Sequence, residues 1–237
     1  MMVKITSIIL TLCYCTVLLI SCSISEEITF NEEGSLNYSY VIDASEFMKI
    51  MPDSMDKNML KDTLISFKDL LTQKKDSISQ LPSESQKKLQ ALKPLFIKMH
   101  QDKKKGEFYV LIYGNFINST SLNSALSALN SIDNSKNNSS KNMEFLTHTT
   151  YNWNGKEFSK KSIKAESLKS DSVAQNILPL FTGGTFKIRY NFPKEIKKVN
   201  NSSAVISQDR KSLSIEYDAT EYLATPQKTD LKVELVK

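Results

Sequence analysis

Residues 28–42, ITFNEEGSLNYSYVI, decide the fold class. Ile28-Thr29-Phe30 is a short β-branched and aromatic run and Asn31-Glu32-Glu33-Gly34 is a turn, after which Leu36, Tyr38, Tyr40 and Ile42 alternate with Asn37, Ser39 and Val41. Side chains at every second position share one face of a strand, so the stretch reads as a hairpin whose second strand is half-buried. The same period returns downstream. Leu95, Ile97 and Met99 precede a turn at 102–106, and Phe108, Val110 and Ile112 then alternate with Tyr109, Leu111 and Tyr113. That return strand is predicted to be buried on both faces. Phe145, Thr147, Thr149 and Tyr151 lead to Asn154-Gly155, a pair suited to the two positive-φ positions of a type I′ turn, and Phe158 lies on the way back. Phe186, Ile188, Tyr190 and Phe192 alternate up to Pro193, and shorter strands are predicted at 196–199, 204–206, 213–217 and 231–235.

Two stretches carry the helical period instead. Between 44 and 94, Ser45 or Asp53 can cap short helices containing Met48, Met51, Met55 and Met59, and Ser66 opens another helix carrying Leu70, Leu71 and Ile78. Ser83 and Gln86 have capping-box spacing ahead of Leu89 and Leu92, and Pro94 stops that helix. Leu122, Ala125, Leu126, Leu129 and Ile132 recur on one face behind Ser119–Ser121. The run NSKNNSSKN at 134–142 holds no core residue and reads as a loop; a helical stretch is predicted near 170–180 and a helical turn at 219–223. Nine or ten strands joined mainly by tight turns select an α+β fold: an antiparallel, strongly twisted β-sheet built from hairpins with two helical insertions, as a single domain over 28–237.

The 237 residues are 40% hydrophobic, 9% aromatic and 24% charged, with a net charge of +5, which is the composition of a globular chain. Six glycines, two histidines and three cysteines leave little material for a phosphate-cradling loop, a multi-histidine metal site or a disulfide framework. Basic residues are interleaved with acidic ones except at Lys103-Lys104-Lys105, which precedes Gly106 and reads as a solvated hairpin tip; no nucleic-acid partner is expected.

The chain opens with MMVKITSIILTLCYCTVLLISC, a lysine followed by an uncharged, mostly apolar run from Ile5 to Ile20 and then Ser21-Cys22. This is a signal-peptide pattern over 1–21, its apolar run shorter than the roughly 20 residues of a spanning helix. Leu19-Ile20-Ser21-Cys22 resembles the bacterial lipobox, and that resemblance implies that Cys22 becomes the mature N-terminus, carrying thioether-linked diacylglycerol and an amide-linked acyl chain such as palmitate. Several chains make a stable membrane anchor where one alone gives marginal binding. Residues 22–27 then form a lipidated tether, with Glu26-Glu27 either a solubilising pair or a weak surface-export signal. Ser23 is not the aspartate that retains many proteobacterial lipoproteins in the inner membrane, so the resemblance implies an outer-membrane lipoprotein facing the periplasm, with surface exposure the alternative.

Candidate chemistry is sparse. His100 and His148 each sit on a predicted strand with no second histidine or cysteine at ligand spacing, so no metal is expected. No serine has a nucleophile-elbow context, and no residue is named as catalytic and no cofactor is implied. Met48, Met51, Met55 and Met59 would share one helical face, as core filling or as an adaptable surface. Asp followed by Ser or Thr and then an aliphatic residue or methionine occurs at Asp53-Ser54-Met55, Asp62-Thr63-Leu64, Asp76-Ser77-Ile78 and Asp171-Ser172-Val173. About one such triplet is expected by chance. The pattern resembles the O-glycosylation acceptor of periplasmic Bacteroidota proteins, which implies glycans on Ser54, Thr63, Ser77 and Ser172; helix capping and ordinary surface positions are the competing reading.

The lipobox, the opening hairpin, Gly106–Phe108 and the stretch NFPKEIKKVNNSSAVISQDRKSLSIEY from Asn191 together resemble an uncharacterised family of exported Bacteroidota lipoproteins, and FNEEGS and FPKEIKKVN more distantly resemble the LppM-like lipoprotein domain. The resemblance implies location and fold and supplies no catalytic residue. The function expected is a lipid-anchored, non-catalytic binding or interaction module of the cell envelope, whose ligand is an envelope protein, a glycan or a lipid. An envelope enzyme with a carboxylate-based site and a passive structural lipoprotein are the alternatives.

Overall fold

Residues 22–48, 62–132, 147–164 and 178–236 are described by the structure, a computed structural model. Within them β1 (Ser23–Phe30) and β2 (Leu36–Asp43) form the predicted opening hairpin, with Phe30 opposite Leu36. α1 (Ser45–Met48) and β3 (Thr63–Ser66) follow, then α2 (Phe67–Gln73), α3 (Lys75–Ser79) and α4 (Ser83–Ala91). β4 (Leu95–Asp102) and β5 (Glu107–Phe116) make the second hairpin, α5 spans Ser119–Ile132, and β6 (Thr147–Trp153) and β7 (Glu157–Lys164) make the third. The remainder is β8 (Thr185–Asn191), β9 (Ile196–Val199), β10 (Val205–Ile206), β11 (Ser212–Asp218), α6 (Ala219–Ala224) and β12 (Leu231–Leu235), with single 3-10 turns at Leu178–Phe181 and Pro226–Thr229.

The α+β class and the mostly antiparallel pairing agree with the sequence reading, and the sheet arrangement corrects it. The described residues form two sheets, one of eight strands in the order β10-β11-β8-β1-β2-β5-β4-β3 and one of four in the order β6-β7-β12-β9. β1 and β8 are parallel, from Ile24 opposite Phe186 to Thr29 opposite Asn191, so the large sheet is mixed. Parallel neighbours need a long crossover, and here most of the chain supplies it. β3, inside the stretch read as helical, adds an edge strand beside β4.

The inner faces of the sheets meet through aromatic contacts. Phe30 of β1 lies 4.9 Å from Phe158 of β7, and Phe158 lies 4.8 Å from Tyr190 of β8. Tyr38 of β2 meets Tyr151 of β6 at 6.2 Å. Ring centroids at these spacings contribute about 0.5–1.5 kcal/mol per pair beyond area burial. Ile24, Ile28, Leu36, Phe186, Ile188, Ile196, Val233 and Leu235 complete the same core. α5 buries Leu122, Ala125 and Leu126, as its period predicts, and closes the free edge of β6. The Asn123 side chain donates to Tyr151 O (2.7 Å) and accepts from Tyr151 N (2.9 Å), standing in for a neighbouring strand.

Ser66 caps α2, accepting from Asp69 N, but the capping box at Ser83 does not form. Pro82 occupies the N-cap, and Gln86 Nε2 instead donates to Ser79 O and Leu81 O, fastening α4 to the end of α3. At 154–157 Gly155 has φ +84° while Asn154 is not left-handed, so the turn is not type I′; the Asn154 carboxamide accepts from Lys156 N and Glu157 N. β5 is half-buried along most of its length, with Ile112, Gly114 and Phe116 buried, and not buried on both faces as its sequence predicts. The Lys103–Lys105 tip is exposed, with Asp102 Oδ1 accepting from Lys104 N and Lys105 N. Met48 is buried; Met51, Met55, Met59, the run 134–142 and most of the predicted helix near 170–180 lie outside the described residues.

Candidate functional site

The main departure from the sequence reading is at residues 22–27. They are not a tether: β1 begins at Ser23, and its inward positions are Ile24, Glu26, Ile28 and Phe30. Cys22 itself is 6% exposed in the full-length chain. Its N–H donates to Leu180 O at 2.9 Å, which ties the start of β1 to the 3-10 turn 178–181. Gly184 makes this approach possible, since a Cβ there would stand 1.9 Å from Cys22 O. Burial, and to a lesser degree the charge of Asp43, push the Cys22 thiol up to about 11.

Glu26, read as one of two solvated acids, is 2% exposed, while Glu27 points outward and accepts from Asn191 Nδ2. The inward position of Glu26 faces Lys160 on β7, itself 1% exposed, with Nζ 3.5 Å from Glu26 Oε2. The Tyr190 hydroxyl donates to Glu26 Oε1. Lys160 Nζ lies 4.8 Å from the Phe186 ring centre and 5.7 Å from that of Tyr222, so two π faces supplement its counter-ion. Burial holds the Lys160 ammonium below its usual value, with Glu26 pulling the other way. The phenols of Tyr38, Tyr40, Tyr151 and Tyr190 are raised well above theirs, by burial first, with the Glu26 charge adding to it. Beside the cluster Glu26, Tyr38, Tyr40, Asn130, Thr149 and Tyr151 enclose a cavity of about 20 Å³. That is room for one water molecule and not for a substrate.

Larger spaces lie on the outer faces. A groove of about 650 Å³ crosses the four-stranded sheet, lined by Asn152, Ser159, Lys161, Asn200, Asp230 and Lys232. A second of the same volume crosses the eight-stranded sheet past Glu27, Ser39, Lys187, Arg189, Ser214 and Glu216. Both are open, lined about equally by polar and apolar atoms, and of mixed charge. They present hydrogen-bonding groups without converging them on a reacting atom.

His100 stands between two carboxylates, with Nδ1 2.6 Å from Asp62 Oδ1 and Nε2 3.1 Å from Glu107 Oε2, and its ring lies 4.9 Å from that of Tyr109. His148 Nδ1 is 2.9 Å from Asn130 Nδ2. Among the described residues no group of three potential ligands is placed to hold a metal ion. Of the four glycosylation candidates, Ser77 is exposed on α3 and Thr63 is half-buried on β3, while Ser54 and Ser172 lie outside the described residues.

No described helix is long and apolar enough to cross a membrane. A scan against known protein families and a search of curated proteins find nothing that matches this chain. Among solved structures, the folded domain of Mycobacterium tuberculosis LppM, determined by NMR, is similar at a TM-score of 0.46 and 7% identity, covering 91% of this chain and 89% of that one. At that level the similarity carries no residue role and no function to this chain.

Proposed function

We propose that the chain is a lipoprotein of the cell envelope, acylated at Cys22, whose two-sheet domain is a non-catalytic binding module held at a membrane surface. The observation that carries the reading is the coincidence of two boundaries. The lipobox-like stretch ends at Cys22 and β1 begins at Ser23, so the residue proposed to carry the lipid directly precedes the first residue of the large sheet. An acylated side chain is too large for a buried position and turns outward, while the Cys22 N–H, an amide in either form, keeps its bond to Leu180 O. Outer-membrane placement facing the periplasm and membership of the Bacteroidota lipoprotein family belong to this proposal.

Cys22→Ala is expected to abolish uptake of a fatty-acid probe and move the protein from the detergent to the aqueous phase. A wild-type protein that takes up no label and partitions into water would remove the anchor.

The groove over the four-stranded sheet is the proposed binding surface, because hydroxyl, amide and paired charged groups from β6, β7 and β12 suit a polar ligand such as a glycan. Asn152 and Lys161 are exposed there, so Asn152→Ala with Lys161→Ala leaves the core intact. On a glycan array the double variant is expected to bind its best wild-type glycan about tenfold more weakly at unchanged thermal stability. Equal binding by both proteins would move the ligand off this groove.

A further inference from the structure

We infer that the segment Leu178–Thr182 lies against the lipid leaflet into which the Cys22 acyl chains insert, so that the domain is docked in one orientation and does not swing on a tether. The inference rests on the acylation of Cys22 proposed above. It follows from three observations that do not involve the lipobox.

The first is slack. A tethered lipoprotein domain has several free residues after its cysteine, and here Ser23 is already paired with Asp43 in the large sheet. The second is attachment. The Cys22 nitrogen, which carries the amide-linked chain after maturation, is 2.9 Å from Leu180 O, so an acyl chain leaves the protein within hydrogen-bond distance of the Leu180 backbone. Wherever the chain enters the bilayer, Leu180 stands at the boundary.

The third is the chemistry of what stands there. Ser172–Phe186 contains no charged residue, between Asp171 and Lys187. In the described part of this run Pro179 and Thr182 are exposed and Leu180 is 42% exposed. An uncharged segment that exposes proline and leucine can enter the headgroup layer without desolvating a charge, and it gains by burying apolar surface there. The 183–185 end of the run is different. Asp43 and Glu46 border a shallow groove with Ser23, Ser45, Gly183, Gly184 and Thr185, and carboxylates avoid a lipid surface. The domain is therefore expected to lean on Leu178–Thr182 and keep this groove and the end of β2 in water.

The test uses the acylated protein purified from cells and reconstituted in phosphatidylethanolamine–phosphatidylglycerol vesicles. Once Cys22 is modified and residues 1–21 are removed, the mature chain has no other thiol. A fluorophore placed through Leu180→Cys, or through Thr182→Cys as a second reporter, therefore reports one position. Glu33→Cys, at the far end of β1 and roughly 25 Å away along the strand, is the control.

Reconstitution is expected to lower iodide quenching several-fold at 180 and 182 and to make both sensitive to spin-labelled lipid, with no change at 33. Iodide quenching at 180 and 182 that stays equal to that at 33, in protein whose mass shows the acyl chains, would overturn the docking and leave the anchor standing. Protein whose mass shows no acyl chain would overturn the anchor and the docking with it.

Discussion

Lys160→Met is expected to lower stability by about 3–5 kcal/mol at neutral pH, because it leaves the Glu26 carboxylate buried without its cation. The substituted side chain has similar length and fits among Phe186, Tyr222 and Thr229, so the loss is electrostatic rather than a cavity. Tyr190 still donates to Glu26, but one neutral donor does not replace an ammonium at 3.5 Å. Urea unfolding of the wild type and variant measures the difference. The double variant Glu26→Gln with Lys160→Met should recover most of it, since both charges are then gone and the amide oxygen can still accept from Tyr190. A single variant within ~1 kcal/mol of wild type would show that Glu26 is solvated and that the pair does not join the two sheets.

Stability is expected to fall steeply above pH 10. Tyr38, Tyr40, Tyr151 and Tyr190 have folded-state values well above the ordinary 10.0, so above pH 10 they keep their protons in the folded protein and lose them in the unfolded one. The folded state then binds more protons, and stability decreases as pH rises. Each such group contributes about 1.4 kcal/mol per pH unit, so the four together approach about 5 kcal/mol per unit. Lys160 acts in the opposite direction. Its folded-state value is depressed, so its contribution grows as pH rises towards 10.5, but it is one group against four. An alkaline titration followed by tyrosinate absorbance and circular dichroism should show exposed phenols ionising first, then a cooperative step in which buried phenols ionise as the sheet signal is lost. A single smooth titration of all the tyrosines with the sheet signal retained would contradict the buried cluster.

The sequence by itself determined the local elements. Alternation at Leu36–Ile42 and at Phe186–Phe192 marks strands because one face of each is buried, and the period of Leu122–Leu129 marks α5 for the corresponding reason. Alternation says which side chains face inward and is silent about which strand lies alongside. Only the tertiary structure decided that β1 and β8, more than 150 residues apart, run parallel, and that β5 is half-buried along most of its length. It also decided where β1 starts. A charged residue at an inward position interrupts the pattern on which strand reading depends, so Ile24-x-Glu26-x-Ile28 reads as a tether followed by a strand. Phe158-x-Lys160-x-Ser162 hides its inward face in the same way. Each charge is stable there only because the other stands across the sheet interface, a partnership between residues 134 positions apart that no window along the chain contains. The lipobox-like end at Cys22 was legible because it is a local pattern. The lack of slack behind it was not, because that depends on Asp43 and Leu180 folding back to meet the start of β1.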